Sequence, residues 1–200
     1  MSTVKLTADS GGGTVAIAGP STTTSNAALT LTLPGTVSGT IATTTSYAIL
    51  EDAKSHNTDG QSLTETTWTT RDLNRIYANP DSIVSSLSSN AFTLIAGTYL
   101  IKWQSPFYRT DAAKTRLYDV SNTAVRKAGT TGWAQDQSGN YSSTMSHGIC
   151  RVTISGSTIY RLEYFIDHDD NSPQGGKKGP DDSGNTEEEI YTIVEIYKEA

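Results

Sequence analysis

Between Ala91 and Gln104 the chain reads AFTLIAGTYLIKWQ. Phe92 and Leu94 alternate with Thr93, Ala96–Gly97 supplies a turn, and Tyr99, Ile101 and Trp103 alternate with Leu100, Lys102 and Gln104. A period of two puts every second side chain on one face of an extended strand, so one face can be buried while the other meets solvent. The pattern recurs in SYAILED, AKTRLYDV, AVRKAG, SSTMSHGICRVTIS and TIYRLEYFID, with turns at SNT and at Gly156 between runs. TETTWTTRDL is read the same way, with Thr66, Trp68 and Thr70 sharing a face, and Trp68 and Trp103 are expected in the core. One helical turn is predicted in TRDLNRIYANPDS, where Pro80 would end it. Short alternating runs at this spacing predict an all-β sandwich or jelly roll of roughly eight to ten strands.

Composition supports that class. Ser and Thr make up roughly a quarter of the chain, apolar residues 35% and charged residues 18%. Thr is β-branched, and Ser competes for backbone hydrogen bonds, so both favour strands and turns over helices.

The composition changes abruptly near residue 46. Residues 1–45 contain no aromatic ring, and Lys5 and Asp9 are their charged residues; every Trp, Tyr and Phe lies from Tyr47 onward. The chain therefore divides into an N-terminal arm (1–45) and a globular domain (46–200). Within the arm, Val15 and Ile17 share one strand face, and Leu29, Leu31 and Leu33 share another before Pro34–Gly35 stops the run. Each stretch could bury one thin apolar row and none could close a core alone. The arm is read as an extended, β-rich assembly arm whose strand edges are completed by another chain.

Several function classes are disfavoured. A net charge of −6 leaves no basic stripe for nucleic acid. No apolar run approaches a membrane span, so no membrane insertion is expected, and MSTVKLTADS lacks the apolar core of a signal peptide. Synthesis in a cytoplasm is expected. Cys150 is the lone cysteine, read as a small strand residue. His56, His147 and His168 are widely separated, and no nucleophile elbow, phosphate loop or dinucleotide fingerprint is present. No catalytic residue, metal or cofactor is expected, and the chain is read as non-enzymatic. The segment DHDDNSPQGGKKGPDDSGNTEEE (167–189) is expected to be an exposed excursion that does not pack. Asp167, Asp169 and Asn171 copy the first positions of a calcium loop, but Ser172 and Lys178 break the pattern; a looser site from Asp169, Asp170, Asp181 or Asp182 is left open.

Two groups of residues are candidates for contacts. Tyr108, Trp133 and Tyr141 lie near turns, where aromatic faces could stack on sugars or serve as core and interface residues. In EEIYTIVEIYKEA, Tyr191, Ile193 and Tyr197 oppose Ile190, Val194 and Ile196. Apolar residues on both faces suggest an inner strand or one at a subunit interface.

Trp68, TRDLN (70–74), residues 79–87, FTLIAGTYLI (92–101), RLYDVSNT (116–123) and the closing strand together resemble a family of bacteriophage virion proteins. The domains of that family are similar to the trimeric jelly rolls of tumour necrosis factor and the complement globular head. The arm separately resembles linker strands of phage fibre and decoration proteins. The resemblance implies a homotrimer with Tyr191, Ile193, Val194, Ile196 and Tyr197 near the threefold axis, located in the virion. Two roles follow. One is a capsid decoration (cement) protein whose arm clamps the major capsid protein. The other is a short tail fibre, contacting tail proteins and recognising host surface glycans. A 45-residue arm spans at most roughly 150 Å fully extended and shows no shaft repeat, which favours decoration.

Overall fold

In the computed structural model, which describes residues 3–7, 14–18, 46–137, 140–168, 175–176 and 186–199, all regular structure is strand. The chain divides into two units, Met1–Ala42 and Thr43–Ala200. In the first, β1 (Thr3–Thr7) and β2 (Thr14–Ala18) form an antiparallel hairpin in which Val4 is registered with Ile17 and Leu6 with Val15. The sequence pattern predicts β2 but no strand over Thr3–Thr7. The row Leu29, Leu31 and Leu33 lies outside the described residues.

The second unit contains β3 (Tyr47–Lys54), β4 (Thr69–Thr70), β5 (Arg75–Ala78), β6 (Val84–Ser88), β7 (Ala91–Leu94), β8 (Gly97–Tyr108) and β9 (Asp111–Asp119). It continues with β10 (Ala124–Ala134), β11 (Asp136–Gln137), β12 (Asn140–Tyr141), β13 (Ser143–Ile154), β14 (Thr158–Ile166) and β15 (Glu189–Lys198). One sheet has the order β13-β8-β15-β3-β5; the other runs β10-β9-β14-β7-β6, with β4 beside β14. Four antiparallel pairs are nested: β3 with β15, β7 with β14, β8 with β13, and β9 with β10. First pairs with last, second with second-last, and so inward: one long hairpin rolled into two sheets, the topology of a jelly roll.

The alternation read from the sequence becomes the core. Inward residues Phe92 and Leu94 of β7, Tyr99, Ile101 and Trp103 of β8, Leu117 of β9, Leu162 of β14, and Val194 and Ile196 of β15 are at most 3% exposed. Trp103 also crosses the sandwich, donating its indole N–H to Thr115 Oγ1 at 2.7 Å. Gly148, registered with Trp103 on β13, makes room for the indole: any Cβ there would run into the ring. The β6–β7 turn consists of Ser89 and Asn90, both at positive φ (51° and 62°), the geometry that suits a two-residue hairpin.

Three expectations are corrected. TRDLNRIYANPDS forms no helical turn: Arg75–Ala78 is a strand paired to β3, because Leu50 and Glu51 offer it a ladder and Leu73 and Ile83 are drawn into the core on either side. Trp68 is not in the core; β4 begins only after it, and its ring lies partly exposed under Arg116, 3.9 Å from the guanidinium carbon. The 167–189 segment does pack at its centre. Gly175 and Gly176 are buried, Gly175 N–H donates to Gln61 O (2.7 Å), and Gly60 N–H donates to Gly176 O (2.9 Å). A side chain at Gly60 or Gly175 would collide with the facing backbone, so glycine is what lets these two segments meet.

Arg71 holds this junction. Its side chain is fully buried; Nε donates to Thr192 Oγ1 (3.0 Å), and one terminal nitrogen donates to Pro106 O (3.2 Å) and to Gly175 O. Burial lowers its pKa to about 10, opposed by the nearby carboxylates of Asp52 and Asp72, so the group stays cationic at neutral pH.

Candidate assembly face

The outward residues of the β13-β8-β15-β3-β5 sheet line up in rows across the strands. One row runs Arg151, Leu100, Tyr197, Tyr47; the next Ile149, Lys102, Glu195, Ile49; the third His147, Gln104, Ile193, Glu51. Directly opposed side chains on one face of an antiparallel pair touch, so each row is a contact unit. The result is a face in which apolar and polar groups interleave, with Ile149 53% and Tyr47 39% exposed.

Its centre is shaped and charged. Lys102 Nζ sits 5.2 Å from the centroid of the Tyr197 ring, and Tyr197 O–H donates to Glu195 Oε2 at 2.8 Å. That hydrogen bond, with a smaller contribution from burial, raises the phenol above its ordinary pKa. Beside them a groove of about 380 Å³ is lined by Lys102, Gln104, His147, Ile149 and Ile193. Further along the same sheet, a second hollow of about 480 Å³ is bounded by Pro106, Tyr108, Met145, Ile190 and Tyr191. The β13 edge is closed by β10: His147 N–H donates to Thr130 Oγ1 (2.9 Å) and Ser146 O–H to Thr130 O (2.7 Å).

The five residues expected at the threefold axis separate into two sets. Ile193 and Tyr197 stand on this outer face. Val194 and Ile196 are 0% exposed in the sandwich core, so they have no surface left to offer a partner, and the axis role does not extend to them. Tyr191 is 7% exposed and donates to Thr58 O at 2.6 Å. The cause is a register break in β15 between Ile190 and Ile193, which turns the strand so that neighbouring Tyr191 and Thr192 are both buried.

The three aromatic candidates are not brought together. Tyr108 borders the second hollow on this sheet face. Tyr141, on the small β11–β12 hairpin, carries Arg109 over its ring at 3.9 Å, and Arg109 in turn donates to Asp136 Oδ1 at 2.8 Å. Trp133, 63% exposed, belongs to the other sheet. Val15 and Ile17 lie in the β1–β2 hairpin of the first unit.

For metal or nucleophile chemistry the geometry offers little. Among the described residues no three His, Cys, Asp or Glu side chains gather as a metal site; Asp169, Asp170, Asn171, Asp181 and Asp182 lie outside them. His168 Nδ1 lies 3.0 Å from Asp136, and His56 3.9 Å from Glu189. Burial pushes the Cys150 thiol up, away from the reactive thiolate.

No family model matches the chain, and no curated protein matches it. Among solved structures it is similar to the globular domain of a zebrafish complement 1qA protein, at 11% identity over 77% of this chain and 96% of that one, with a TM-score of 0.44. It is similar to murine APRIL (9%, 76% and 98%, TM-score 0.46) and to the Eiger TNF of S. frugiperda (8%, 78% and 93%, TM-score 0.47). The chain is an all-β jelly-roll sandwich, as its nested strand pairing defines, preceded by the β1–β2 hairpin of the first unit.

Proposed function

We propose that this chain is a non-enzymatic structural protein of a phage virion, a homotrimer associating through the outer face of the β13-β8-β15-β3-β5 sheet. The supporting observation is that face: three cross-strand rows that leave Tyr47 and Ile149 exposed and Ile193 and Tyr197 beside an open groove, on a domain whose core is already complete. Apolar groups in this number on one sheet face are characteristic of surfaces covered by another subunit. The virion assignment draws on the sequence resemblance, and the arm then serves as a capsid clamp, with a short tail fibre as the other role. Light scattering of the purified chain should give three times the mass of one chain, and Ile193→Asp should reduce it to the monomer while the domain stays folded. A monomeric wild-type chain would remove the proposal. Deleting residues 2–45 should leave the trimer and abolish binding to capsids; retained capsid binding would rule out the clamp.

A further inference from the structure

The histidines of the chain stand in unlike surroundings. His168 Nδ1 lies 3.0 Å from Asp136 and His56 Nδ1 3.9 Å from Glu189, so each has a carboxylate to balance a proton. Among the described residues His147 has no ion pair. It is exposed on β13, on the outer face of the β13-β8-β15-β3-β5 sheet, and lines the groove of about 380 Å³ with Lys102, Gln104, Ile149 and Ile193.

Register fixes what faces this imidazole. Directly across on β8 is the neutral Gln104, with Ile193 of β15 beyond it. One row along on β8 is Lys102, diagonal to His147 and within reach of a long side chain. From β10 come Gly129 and Thr130, whose hydroxyl accepts from His147 N–H at 2.9 Å. The cations of β10 are Arg126, bound to Asp119, and Lys127, which lies beside Cys150 further along β13. On β13 itself Arg151 pairs with Glu199 at 2.7 Å. The carboxylates of the face are engaged elsewhere. Glu195 is two strands away, roughly 10 Å, registered with Lys102 and accepting from Tyr197 O–H. Glu189 lies by His56, and Glu51, three strands away, holds Arg75 at 2.7 Å. The formal charge nearest to His147 in the register is therefore positive.

We propose that His147 makes association through this face pH-dependent: copies of the chain join while the imidazole is neutral and separate when it is protonated. The inference rests on the association proposed above and adds its regulation. On the free chain, water solvates either form of an exposed imidazole. Once a second copy covers the groove that water is lost, and an unpaired cation beside Lys102 costs far more to bury than a neutral ring. The associated state thus binds fewer protons than the free chains, so the association constant falls as pH falls. An imidazole ordinarily titrates near pH 6.5. Between pH 7.5 and 5.5 each covered His147 therefore weakens association about tenfold, roughly a thousandfold for three copies.

The test is a dilution series of the full chain at pH 7.5 and at pH 5.5, at one ionic strength, with mass read by light scattering and fold by circular dichroism. The wild type should be a trimer at pH 7.5 and a folded monomer at pH 5.5 at the same concentration. His147→Gln, a neutral side chain that does not titrate in this range, should stay trimeric at both. His56→Gln and His168→Gln should keep the wild-type response. A wild-type trimer that persists at pH 5.5 to the same dilution overturns the inference and leaves the trimer standing, as does a His147→Gln chain that still separates in acid. An unfolded chain at pH 5.5 also overturns it, because the loss is then of the fold. A monomer at pH 7.5 instead removes the association itself, and this inference with it.

Discussion

Around Glu163, on the outer face of β9 and β14, cations and aromatic rings complete one another. Arg116 covers Trp68 at 3.9 Å, and Glu163, 2% exposed, accepts from Arg116 at 2.6 Å and from Arg161 at 2.8 Å. On the outer face of the β13-β8-β15-β3 strands, Ile149, Ile193 and Tyr47 find no such cover within the domain, and Lys102 lies 5.2 Å above Tyr197 beside an open groove. Both regions come from strands with the same period-two pattern. What separates the Glu163 cluster from the other face is the residue chosen at alternate outward positions: charged partners in the cluster, aliphatic side chains on the face; away from the cluster, Val125, Trp133 and Ile159 are exposed on β10 and β14. A self-satisfied cluster stays in water without penalty, while a face of half-exposed Ile and Tyr gains by being covered.

That comparison can be broken or sharpened at three places, taken from the largest effect down. Arg71 lies between the sheets where both faces end, so replacing it tests whether either survives without the shared junction. Arg71→Met should cost about 3–5 kcal/mol in denaturant unfolding, because it strands the carbonyls of Pro106 and Gly175 and leaves Lys54, at 3.0 Å, to balance buried Asp52 without the Arg71 charge nearby. Equal stability would mean that the junction at Gly175 is held by the backbone pairs alone.

Glu163→Gln addresses the self-satisfied face. Loss of the charge leaves Arg116 and Arg161 converging on a neutral amide, at a cost of about 1.5–3 kcal/mol. The oligomeric mass should not change, since the damage lies away from the face proposed for association. A change in mass by light scattering would erase the division of labour between the faces.

The smallest effect concerns Tyr191, at the end of the open face. Burial, with Glu189, Asp59 and Asp52 adding to it, pushes its pKa up to about 12 from 10.0. The folded state thus favours the neutral phenol. Its contribution is fully present below about pH 10 and is lost as pH rises toward 12. Tyr191→Phe should cost about 1 kcal/mol at neutral pH, from the lost bond to Thr58 O, and should flatten the decline of stability across that alkaline window. Denaturation midpoints measured on both sides of pH 10 would check this; an unchanged slope would place the alkaline sensitivity elsewhere, with Tyr160, also raised to about 12, the next residue to test.

Much of the sandwich was legible because alternation is a local property. Phe92, Leu94, Tyr99, Ile101 and Trp103 could be assigned to the core from their spacing, and all are at most 3% exposed. Where spacing was ambiguous, the reading failed for a definite reason. Leu73, Ile76 and Tyr77 fall at helix-like intervals, but the ladder offered by β3 made Arg75–Ala78 a strand. In β15 every position from Ile190 to Ile196 except Thr192 and Glu195 is apolar or aromatic, so neither face was marked, and the bulge before Ile193 decided which residues point inward. The candidate face was half visible: Ile193 and Tyr197 were named, while Ile149 and Lys102 join them only because β13 and β8 pair over twelve positions.

By itself the sequence determined that the chain would be built of strands, which residues of β7 and β8 face inward, and that the first 45 residues differ in kind from the rest. Each of these depends on neighbours a few residues apart, where side-chain period and composition act directly. Tertiary structure alone decided the nesting of the strands, the burial of Arg71, the pinning of Gly175 to Gln61 across more than a hundred residues, and the meeting of Arg116 and Arg161 on Glu163. Those outcomes depend on which strand lies beside which. A charged residue between Thr70 and Asp72, or two glycines in an acidic loop, carry no local sign of the partners that the rolled hairpin brings to them.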